Sequence, residues 1–358
     1  MLNARKAVRE MHEYHPPLAG RTGLRLDFNE NTEGCSPRVL ARVREITAED
    51  LARYPERAPV EAIVAPYLGL PADQVLLTNG VDEAIHLLCE AYLEPADEVL
   101  VVTPTFSMYE IFAEATGAHV VRVQCGEDMR FPFEKVAGAV TAATKLIAVA
   151  SPNNPTGGAA SRDELLAIAQ QAPHAALLVD EAYFEFHGQT VLSEVGRQSN
   201  LFVARTFSKA YGLAGLRIGA LIGEEQLIGR LRGRQAYLTT SGLAAEALIG
   251  ALEGDPDFPS RHAGEVRALR AELIARLRAL ELFERVYDSE TNFVFVRCAT
   301  PAEAASIRAT LARNLNVIVA STAPLGEPAG LRIGVSLQGD TDRLLAGLTA
   351  IRDKEIPT

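Results

Sequence analysis

The stretch RTFSKAYGLAGLRIG, residues 205–219, is the most informative part of the 358-residue chain. It follows a short apolar run, 201–204, which predicts a buried strand. Lys209 lies just beyond that strand, where its amine could form a Schiff base with an aldehyde. Donors for a phosphate on the same ligand are Thr206, Ser208 and Arg217. A lone lysine is most often exposed to solvent, so this chemistry depends on support from the rest of the chain.

Four more predicted strands end near residues with potential ligand chemistry. The strands are 75–78, 98–102, 145–150 and 176–179, and the residues that follow them are Gly80, Phe106, Asn154 and Asp180. The carboxyl ends of parallel strands share one edge of a sheet, where ligand sites gather. Taken alone, each residue has an ordinary alternative as a turn former, a packed aromatic or a helix cap. Five positions with compatible chemistry predict a binding site at the edge of an α/β sheet.

Asp180 closes an apolar run and would carry a charge into a buried environment. An unpaired buried charge is costly, so a positively charged group of a ligand is expected beside it. Asn154 precedes Pro155, which biases its backbone to an extended conformation that can aim its amide at a ligand.

The stretch 205–219 closely resembles the lysine motif of the histidinol-phosphate aminotransferases, a branch of the fold-type I pyridoxal-phosphate aminotransferases. The resemblance extends from Asp27 to Arg332 and includes the strand-end residues above. It implies an α/β fold with a large cofactor-binding domain, 45–240, built on a mainly parallel seven-stranded sheet. It also implies a small α+β domain that combines 1–44, including an N-terminal arm, with 241–358.

The resemblance assigns a role to each motif residue. Lys209, Asp180 and Tyr183 are the implied catalytic residues, with Tyr183 beside Asn154 at the phenolic oxygen of pyridoxal 5'-phosphate and Phe106 stacked on its ring. The implied phosphate contacts are Gly80, Val81, Asp82, Thr206, Ser208, Arg217 and, from the other subunit of a homodimer, Tyr54. The implied substrate contacts are Arg332, Asn31, Asn154 and Tyr54. No metal site is expected, because the histidines show no ligand spacing.

Two segments depart from the family pattern. Thr32-Glu33-Gly34 stands where the family usually has Pro-Tyr-Gly, and 336–340 reads Ser-Leu-Gln-Gly-Asp in place of a Thr and a Glu-Glu-Asn segment. Both flank the expected substrate pocket. The resemblance implies transamination between histidinol phosphate and 2-oxoglutarate in histidine biosynthesis, by a ping-pong cycle in which Lys209 moves the proton. An aromatic or broad-range aminotransferase remains the alternative, followed by a decarboxylase of a phosphorylated amino acid.

Two other classes are disfavoured. A ligand-sensing domain of a transcription regulator would need an attached DNA-binding domain, for which the short N-terminal arm leaves no room. A binding protein without activity is disfavoured because Lys209, Asp180 and Arg332 are all present.

Composition excludes several partners. With 35 basic and 46 acidic side chains the formal charge is −11, which disfavours a nucleic-acid surface. The four cysteines form no C-x-x-C pair, which disfavours a disulfide framework or a zinc ribbon and fits a reducing compartment. The N-terminal residues lack the apolar core of a signal peptide, and no apolar run approaches the roughly 20 residues of a membrane span. A cytoplasmic enzyme is therefore expected.

Local patterns predict three further features. Residues 1–35 read as an irregular arm, after which Ser36 is expected to cap a helix that begins at Pro37. The region 265–282 has apolar residues at helical spacing. Its arginines are expected to form a solvated face: Arg267, Arg270, Arg276 and Arg278.

Overall fold

The computed structural model describes residues 2–11, 22–236, 240–321 and 329–356. Its described part contains two β-sheets. The strands are β1 (Leu24–Leu26), β2 (Val75–Thr78), β3 (Glu98–Thr103), β4 (His119–Gln124), β5 (Thr144–Ala150), β6 (Ala176–Asp180), β7 (Leu201–Thr206), β8 (Gly219–Ile222), β9 (Arg285–Val286), β10 (Phe293–Arg297), β11 (Val317–Ser321) and β12 (Gly330–Gly334). The helices are α1 (Lys6–Glu10), α2 (Pro37–Arg44), α3 (Ala48–Ala52), α4 (Ala58–Tyr67), α5 (Gly80–Tyr92), α6 (Met108–Thr116), α7 (Phe133–Ala139), α8 (Arg162–Gln171), α9 (Phe184–His187), α10 (Glu225–Arg234), α11 (Gly242–Gly254), α12 (Phe258–Ala279), α13 (Pro301–Leu315) and α14 (Gln338–Arg352).

The larger sheet has seven strands in the order β2-β8-β7-β6-β5-β3-β4. Its neighbours from β7 to β4 pair in parallel, whereas β8 runs antiparallel to both β2 and β7. Along β7, Val203 packs into one hydrophobic core and Phe202 into a second core on the opposite face. A continuous apolar strand is what a sheet covered on both faces requires. The prediction of a mainly parallel seven-stranded α/β sheet is confirmed.

The predicted strands of this sheet are confirmed, with small changes at their ends. β6 extends through Asp180, β7 extends through Thr206, and α5 begins at Gly80 rather than at the predicted residue 84. Each change places a predicted site residue, Asp180, Thr206 or Gly80, within a regular element rather than in a loop. These residues are consequently held by backbone hydrogen bonds of the sheet or by the first turn of a helix.

The smaller sheet has five strands in the order β1-β11-β12-β10-β9. The expectation of an irregular arm over 1–35 is wrong at Lys6–Glu10, which forms α1, and at Leu24–Leu26, because β1 pairs in parallel with β11 and aligns Leu24 with Val317. A three-residue strand carries little periodic signal, so its partner 293 positions away determines it. The domain boundaries at residues 44 and 240 stay predictions.

Two local expectations have different outcomes. The Ser36 side chain accepts a hydrogen bond from the backbone N–H of Arg38 with Pro37 in the first turn of α2, which confirms the predicted cap. The solvated arginine face of α12 is wrong at Arg270, which is buried and donates to the Thr291 carbonyl oxygen at 2.8 Å. Among the described residues, no helix is both long enough and apolar enough to span a bilayer.

Candidate active site

The predicted site gathers at the carboxyl ends of the large-sheet strands, with Lys209 at its centre. Lys209 follows β7 by three residues, and its Nζ donates to the Phe28 carbonyl oxygen at 2.9 Å. Burial, together with the smaller effect of the positive charge of Arg332, lowers the pKa of Lys209 to about 8. A lysine with such a pKa has a substantial neutral fraction near pH 8, and a neutral amine is the nucleophile that attacks an aldehyde.

Asp180 ends β6 as a buried carboxyl group with two hydrogen-bond donors. Its Oδ1 accepts from the Ala182 N–H at 3.0 Å, and its Oδ2 accepts from the Tyr109 hydroxyl at 2.5 Å. Burial raises the pKa of Asp180 to about 6. Within the described part of the chain, no lysine, arginine or histidine forms an ion pair with it. This environment fits a protonated ring nitrogen, because such a group would supply the missing positive charge.

Tyr183 lies near Lys209 and contacts the segment that follows β1. Its ring centroid is 6.0 Å from Lys209 Nζ, and its hydroxyl accepts from Nδ2 of Asn29 at 2.8 Å. The ring packs edge-on against Phe293 of the small sheet at 5.3 Å. Tyr183 is therefore held in place by one residue that precedes the large sheet in the sequence and one that follows it.

Arg332 brings the small sheet to the same site. Its Nη1 donates to Oδ1 of Asn154 at 2.5 Å, and its Nη2 donates to the Asp27 carbonyl oxygen. The guanidinium thus lies beside one predicted cofactor contact and close enough to Lys209 to affect its pKa. A planar guanidinium in this position can bind a carboxylate or a phosphate through two parallel hydrogen bonds.

A candidate phosphate cradle lies where α5 begins. Arg217 has a left-handed backbone, with φ of 51°, and its Nη2 donates to Oδ2 of Asp82 at 2.7 Å while its Nη1 is 3.4 Å from the Ser208 hydroxyl oxygen. The Ser208 N–H donates to the Thr206 hydroxyl at 3.1 Å. Gly80 has a left-handed backbone, with φ of 69°, which favours glycine, and a Cβ there would displace the guanidinium of Arg217, whose Nη2 lies 2.5 Å from the Cβ position.

This cradle fits the phosphate of pyridoxal phosphate by its donor set. The first backbone N–H groups of a helix, a guanidinium and two hydroxyls are all hydrogen-bond donors to an anion. Asp82, one of the implied phosphate contacts, also has a carboxylate that forms an ion pair with the guanidinium of Arg217. Val81 follows Gly80 in the first turn of α5, where backbone N–H groups have no partner within the helix.

Three other predicted site residues, Phe106, Asn31 and Tyr54, make different contacts. Phe106 is partly buried and packs edge-on against Tyr109, with ring centroids 6.0 Å apart. Asn31 closes its own turn by accepting from the Glu33 and Gly34 N–H groups, and donates weakly to the Ala210 carbonyl oxygen at 3.3 Å. Tyr54 is 84% exposed in the single chain.

The two segments that depart from the family pattern contact each other. The Ser336 hydroxyl donates to the Thr32 hydroxyl at 2.9 Å. Next to Thr32, Glu33 lies 3.0 Å from Nδ1 of His262 on α12. Glu33, His262 and Glu265 offer ligand atoms within 4.8 Å of one another, but exposed carboxylates are common without an ion, and the expected absence of a metal stays a prediction.

Tyr109 and Asn29 are site residues that the sequence analysis did not assign. Tyr109 follows Phe106 by three positions, and its aromatic ring in an apolar helix resembles ordinary core packing. Asn29 belongs to the same Asn-Glu-Asn triplet as Asn31. The resemblance assigned Asn31 of this triplet to the substrate, but the spacing alone could not show which of the two asparagines contacts the other site residues.

The chain is similar to known proteins over almost its whole length. Residues 21–351 match the family model described as Aminotransferase class I and II. A histidinol-phosphate aminotransferase of Jannaschia sp. is 37% identical over 339 residues, covering 92% of this chain and 91% of that protein. Histidinol-phosphate aminotransferase 1 of Bacillus cereus is 33% identical over 340 residues, covering 93% and 90%.

A solved structure has the same fold. The crystal structure of histidinol-phosphate aminotransferase from Sinorhizobium meliloti, in complex with pyridoxal-5'-phosphate, aligns with a TM-score of 0.90 over 99% of both chains. Its sequence identity is 24%, so this likeness supports the fold and not the substrate.

Proposed function

The chain belongs to the class I and II aminotransferases, and we propose that it transfers the amino group of histidinol phosphate to 2-oxoglutarate in histidine biosynthesis. Family membership confirms the predictions of an aminotransferase, of the fold-type I architecture and of pyridoxal 5'-phosphate as the cofactor. The substrate proposal is supported by relatives at 33–37% identity that are histidinol-phosphate aminotransferases.

The site residues divide the work of the reaction. When bound, pyridoxal phosphate supplies an aldehyde for the substrate amine and a ring that accepts electrons from the substrate Cα. Lys209 Nζ takes the proton from Cα and returns it as general base and acid. Asp180 holds a proton at the ring nitrogen, and Tyr183 with Asn154 binds the phenolic oxygen. The cofactor phosphate would be bound by the hydrogen-bond donors of the phosphate cradle, which is formed by Gly80, Val81, Asp82, Thr206, Ser208 and Arg217.

One structural relationship supports this function most directly. Lys209, whose amine is partly neutral near pH 8, lies between the carbonyl oxygen of Phe28, the ring of Tyr183 and the charge of Arg332. A nucleophilic amine beside a guanidinium suits a substrate that carries an amine next to an anion.

Arg332 suits both proposed substrates. Histidinol phosphate has a phosphate ester on the carbon where glutamate has its α-carboxylate, so one arginine can serve both halves of a ping-pong cycle. The guanidinium forms two parallel hydrogen bonds with either anion. Asn154, Asn31 and Tyr54 complete the proposed substrate contacts.

The proposed partner is a second copy of the same chain. Leu40 of α2, Leu51 of α3 and Leu243 of α11 are exposed in the single chain, and α11 packs against both other helices. Tyr54 follows α3 by two residues, is also exposed in the single chain, and would reach the cofactor phosphate of the partner. The four cysteines are free thiols, consistent with the cytoplasmic location that we propose.

The experiment is a single-turnover donor panel. Purified holoenzyme is mixed separately with histidinol phosphate, phenylalanine, tyrosine, histidine and glutamate, and cofactor absorbance is followed. Fast conversion by histidinol phosphate, reversed by 2-oxoglutarate, is expected. Fast conversion by phenylalanine or tyrosine with slow conversion by histidinol phosphate would instead assign the aromatic branch. Release of carbon dioxide from a phosphorylated amino acid would assign a decarboxylase, and no conversion by any donor would contradict the activity.

A further inference from the structure

Tyr109 is a buried tyrosine whose hydroxyl faces the active-site carboxylate. It lies in the first turn of α6, and its side chain is 1% exposed. Its hydroxyl donates to Asp180 Oδ2 at 2.5 Å. A buried phenol requires a hydrogen-bond partner, and this tyrosine has the one carboxylate that the proposed chemistry uses.

The hydrogen bonds of Asp180 fix the orientation of its carboxylate plane. The Tyr109 hydroxyl donates to one oxygen, and the backbone N–H of Ala182 donates to the other. An ionised carboxylate has about four lone-pair sites, so a ring nitrogen can still donate to either oxygen. With both oxygens held, the carboxylate cannot rotate away from that direction without breaking a hydrogen bond.

The same contact affects the charge of Asp180. Burial raises the pKa of this carboxyl group, as do the charges of Asp82 on α5 and the adjacent Glu181, whereas the bond from Tyr109 lowers it. Burial and the nearby Asp180 charge raise the pKa of Tyr109 well above its usual value. The proton consequently stays on the phenol, and Tyr109 remains a donor throughout the working pH range.

We propose that Tyr109 is a positioning residue that keeps Asp180 ionised and aligned with the ring nitrogen of the cofactor. The proposal rests on the proposed role of Asp180. Tyr109 acts through Asp180, so its contribution requires a nitrogen at that ring position. The edge of its ring also packs against Phe106, and this second contact does not depend on the hydroxyl.

The test compares two ligands of the apoenzyme in wild type and in Tyr109→Phe. One ligand is pyridoxal 5'-phosphate, and the other is its 1-deaza analogue, in which a C–H group replaces the ring nitrogen. Phenylalanine retains the ring contact with Phe106, so the variant removes only the hydroxyl. Tyr287→Phe is the matched control, since Tyr287 is also buried and its hydroxyl donates to the Glu127 carbonyl oxygen at 3.1 Å.

The expected result is selective. Tyr109→Phe weakens binding of pyridoxal phosphate by about tenfold, because Asp180 is then less strongly held in its ionised form and less well aligned with the ring nitrogen. Binding of the 1-deaza analogue changes by less than about twofold, and Tyr287→Phe changes neither affinity. An equal loss of affinity for both ligands would show that Tyr109 acts only through packing, which would overturn the proposal. Unchanged affinity for both ligands would also overturn it.

A double variant tests whether Tyr109 acts through Asp180. Adding Tyr109→Phe to Asp180→Asn is expected to cause no further loss of pyridoxal phosphate affinity, because the carboxylate is already absent. A further tenfold loss would contradict the proposal. Equal affinity of wild type for pyridoxal phosphate and its 1-deaza analogue would contradict the proposed role of Asp180 itself. A selective wild type with an unaffected Tyr109→Phe variant would contradict only the role of Tyr109.

Discussion

Asn29 and Tyr183 lie 154 positions apart in the sequence, and the side-chain amide of Asn29 donates to the Tyr183 hydroxyl at 2.8 Å. Asn29 has a left-handed backbone, with φ of 54°, and its carbonyl oxygen accepts from Asn292 Nδ2 at 3.0 Å. Because the amide supplies a hydrogen to the Tyr183 oxygen, the phenol can direct its own hydrogen to another acceptor. Asn29 therefore favours Tyr183 as a donor to the phenolic oxygen of the cofactor.

Asn29→Gly is expected to change the titration of the bound cofactor. Glycine accepts the left-handed backbone without strain, so the variant removes the amide and little else. With a weaker donor at Tyr183, the ionised phenolic oxygen is less favoured, and the pH midpoint of the cofactor absorbance should rise by roughly 0.5 to 1 unit. Asn316→Gly, at another left-handed asparagine with φ of 54°, is the control. A midpoint unchanged in Asn29→Gly would contradict this role.

Asp180→Asn is expected to stabilise the apoenzyme while weakening cofactor binding. Burial raises the pKa of Asp180 from 3.8 to about 6, so between these values the native state binds more protons than the unfolded state. The free energy of unfolding therefore falls as pH rises through this window, and the cost is fully present at pH 7.

Removing the charge should recover about 1 to 3 kcal/mol of unfolding free energy at pH 7.5, and less at pH 5. Urea unfolding of the two apoenzymes at both pH values measures this difference. A variant that is no more stable than wild type at pH 7.5 would show that the buried charge has no such cost.

Arg332→Lys is expected to raise the KM for both substrates by roughly 10- to 100-fold, with a smaller effect on kcat. A lysine keeps the charge but cannot form two parallel hydrogen bonds or replace the contact with Asn154. Steady-state kinetics with histidinol phosphate and 2-oxoglutarate provide the measurement. Arg297→Lys, on β10 beside Glu284, is the control. An increase confined to 2-oxoglutarate would place the phosphate of histidinol phosphate elsewhere.

Mixing two inactive variants should restore activity if Tyr54 acts across the dimer. Lys209→Ala removes the amine, and Tyr54→Ala removes the proposed contact with the partner's cofactor. In a mixed dimer one site carries both changes and the other carries neither, so an equal mixture should recover about a quarter of wild-type activity after subunit exchange. The pair Lys209→Ala with Asp180→Asn should recover none, since both residues serve the same subunit's site. Activity that stays absent in the first mixture, with exchange demonstrated, would place Tyr54 outside the active site.

The strands of the large sheet and the site residues at their carboxyl ends could be predicted because short, local stretches of sequence indicate them. Apolar runs such as 176–179 define buried strands by composition, and the polar residue after each run marks the sheet edge. The structure extends β6 to Asp180 and β7 to Thr206 without moving either residue from that edge.

The features missed by sequence analysis depend on partners that are distant in sequence. Tyr109 resembles a core residue until Asp180, 71 positions later, is placed against its hydroxyl. Arg270 was expected in solvent, but the backbone carbonyl of Thr291 provides an acceptor that allows its burial. β1 has three residues and forms because β11 provides an edge for it.

The parallel pairing of Leu24 with Val317 sets an order for assembly during synthesis. The strands of the large sheet are complete at Ile222, but β1 must wait for β11, 95 residues later. At ribosomal rates of about 5 to 20 residues per second, this delay lasts roughly 5 to 20 s. The donors of the phosphate cradle can therefore come together on the nascent chain before Arg332 and the Asp27 carbonyl oxygen meet. A growing chain would acquire the means to hold its cofactor before it could select a substrate.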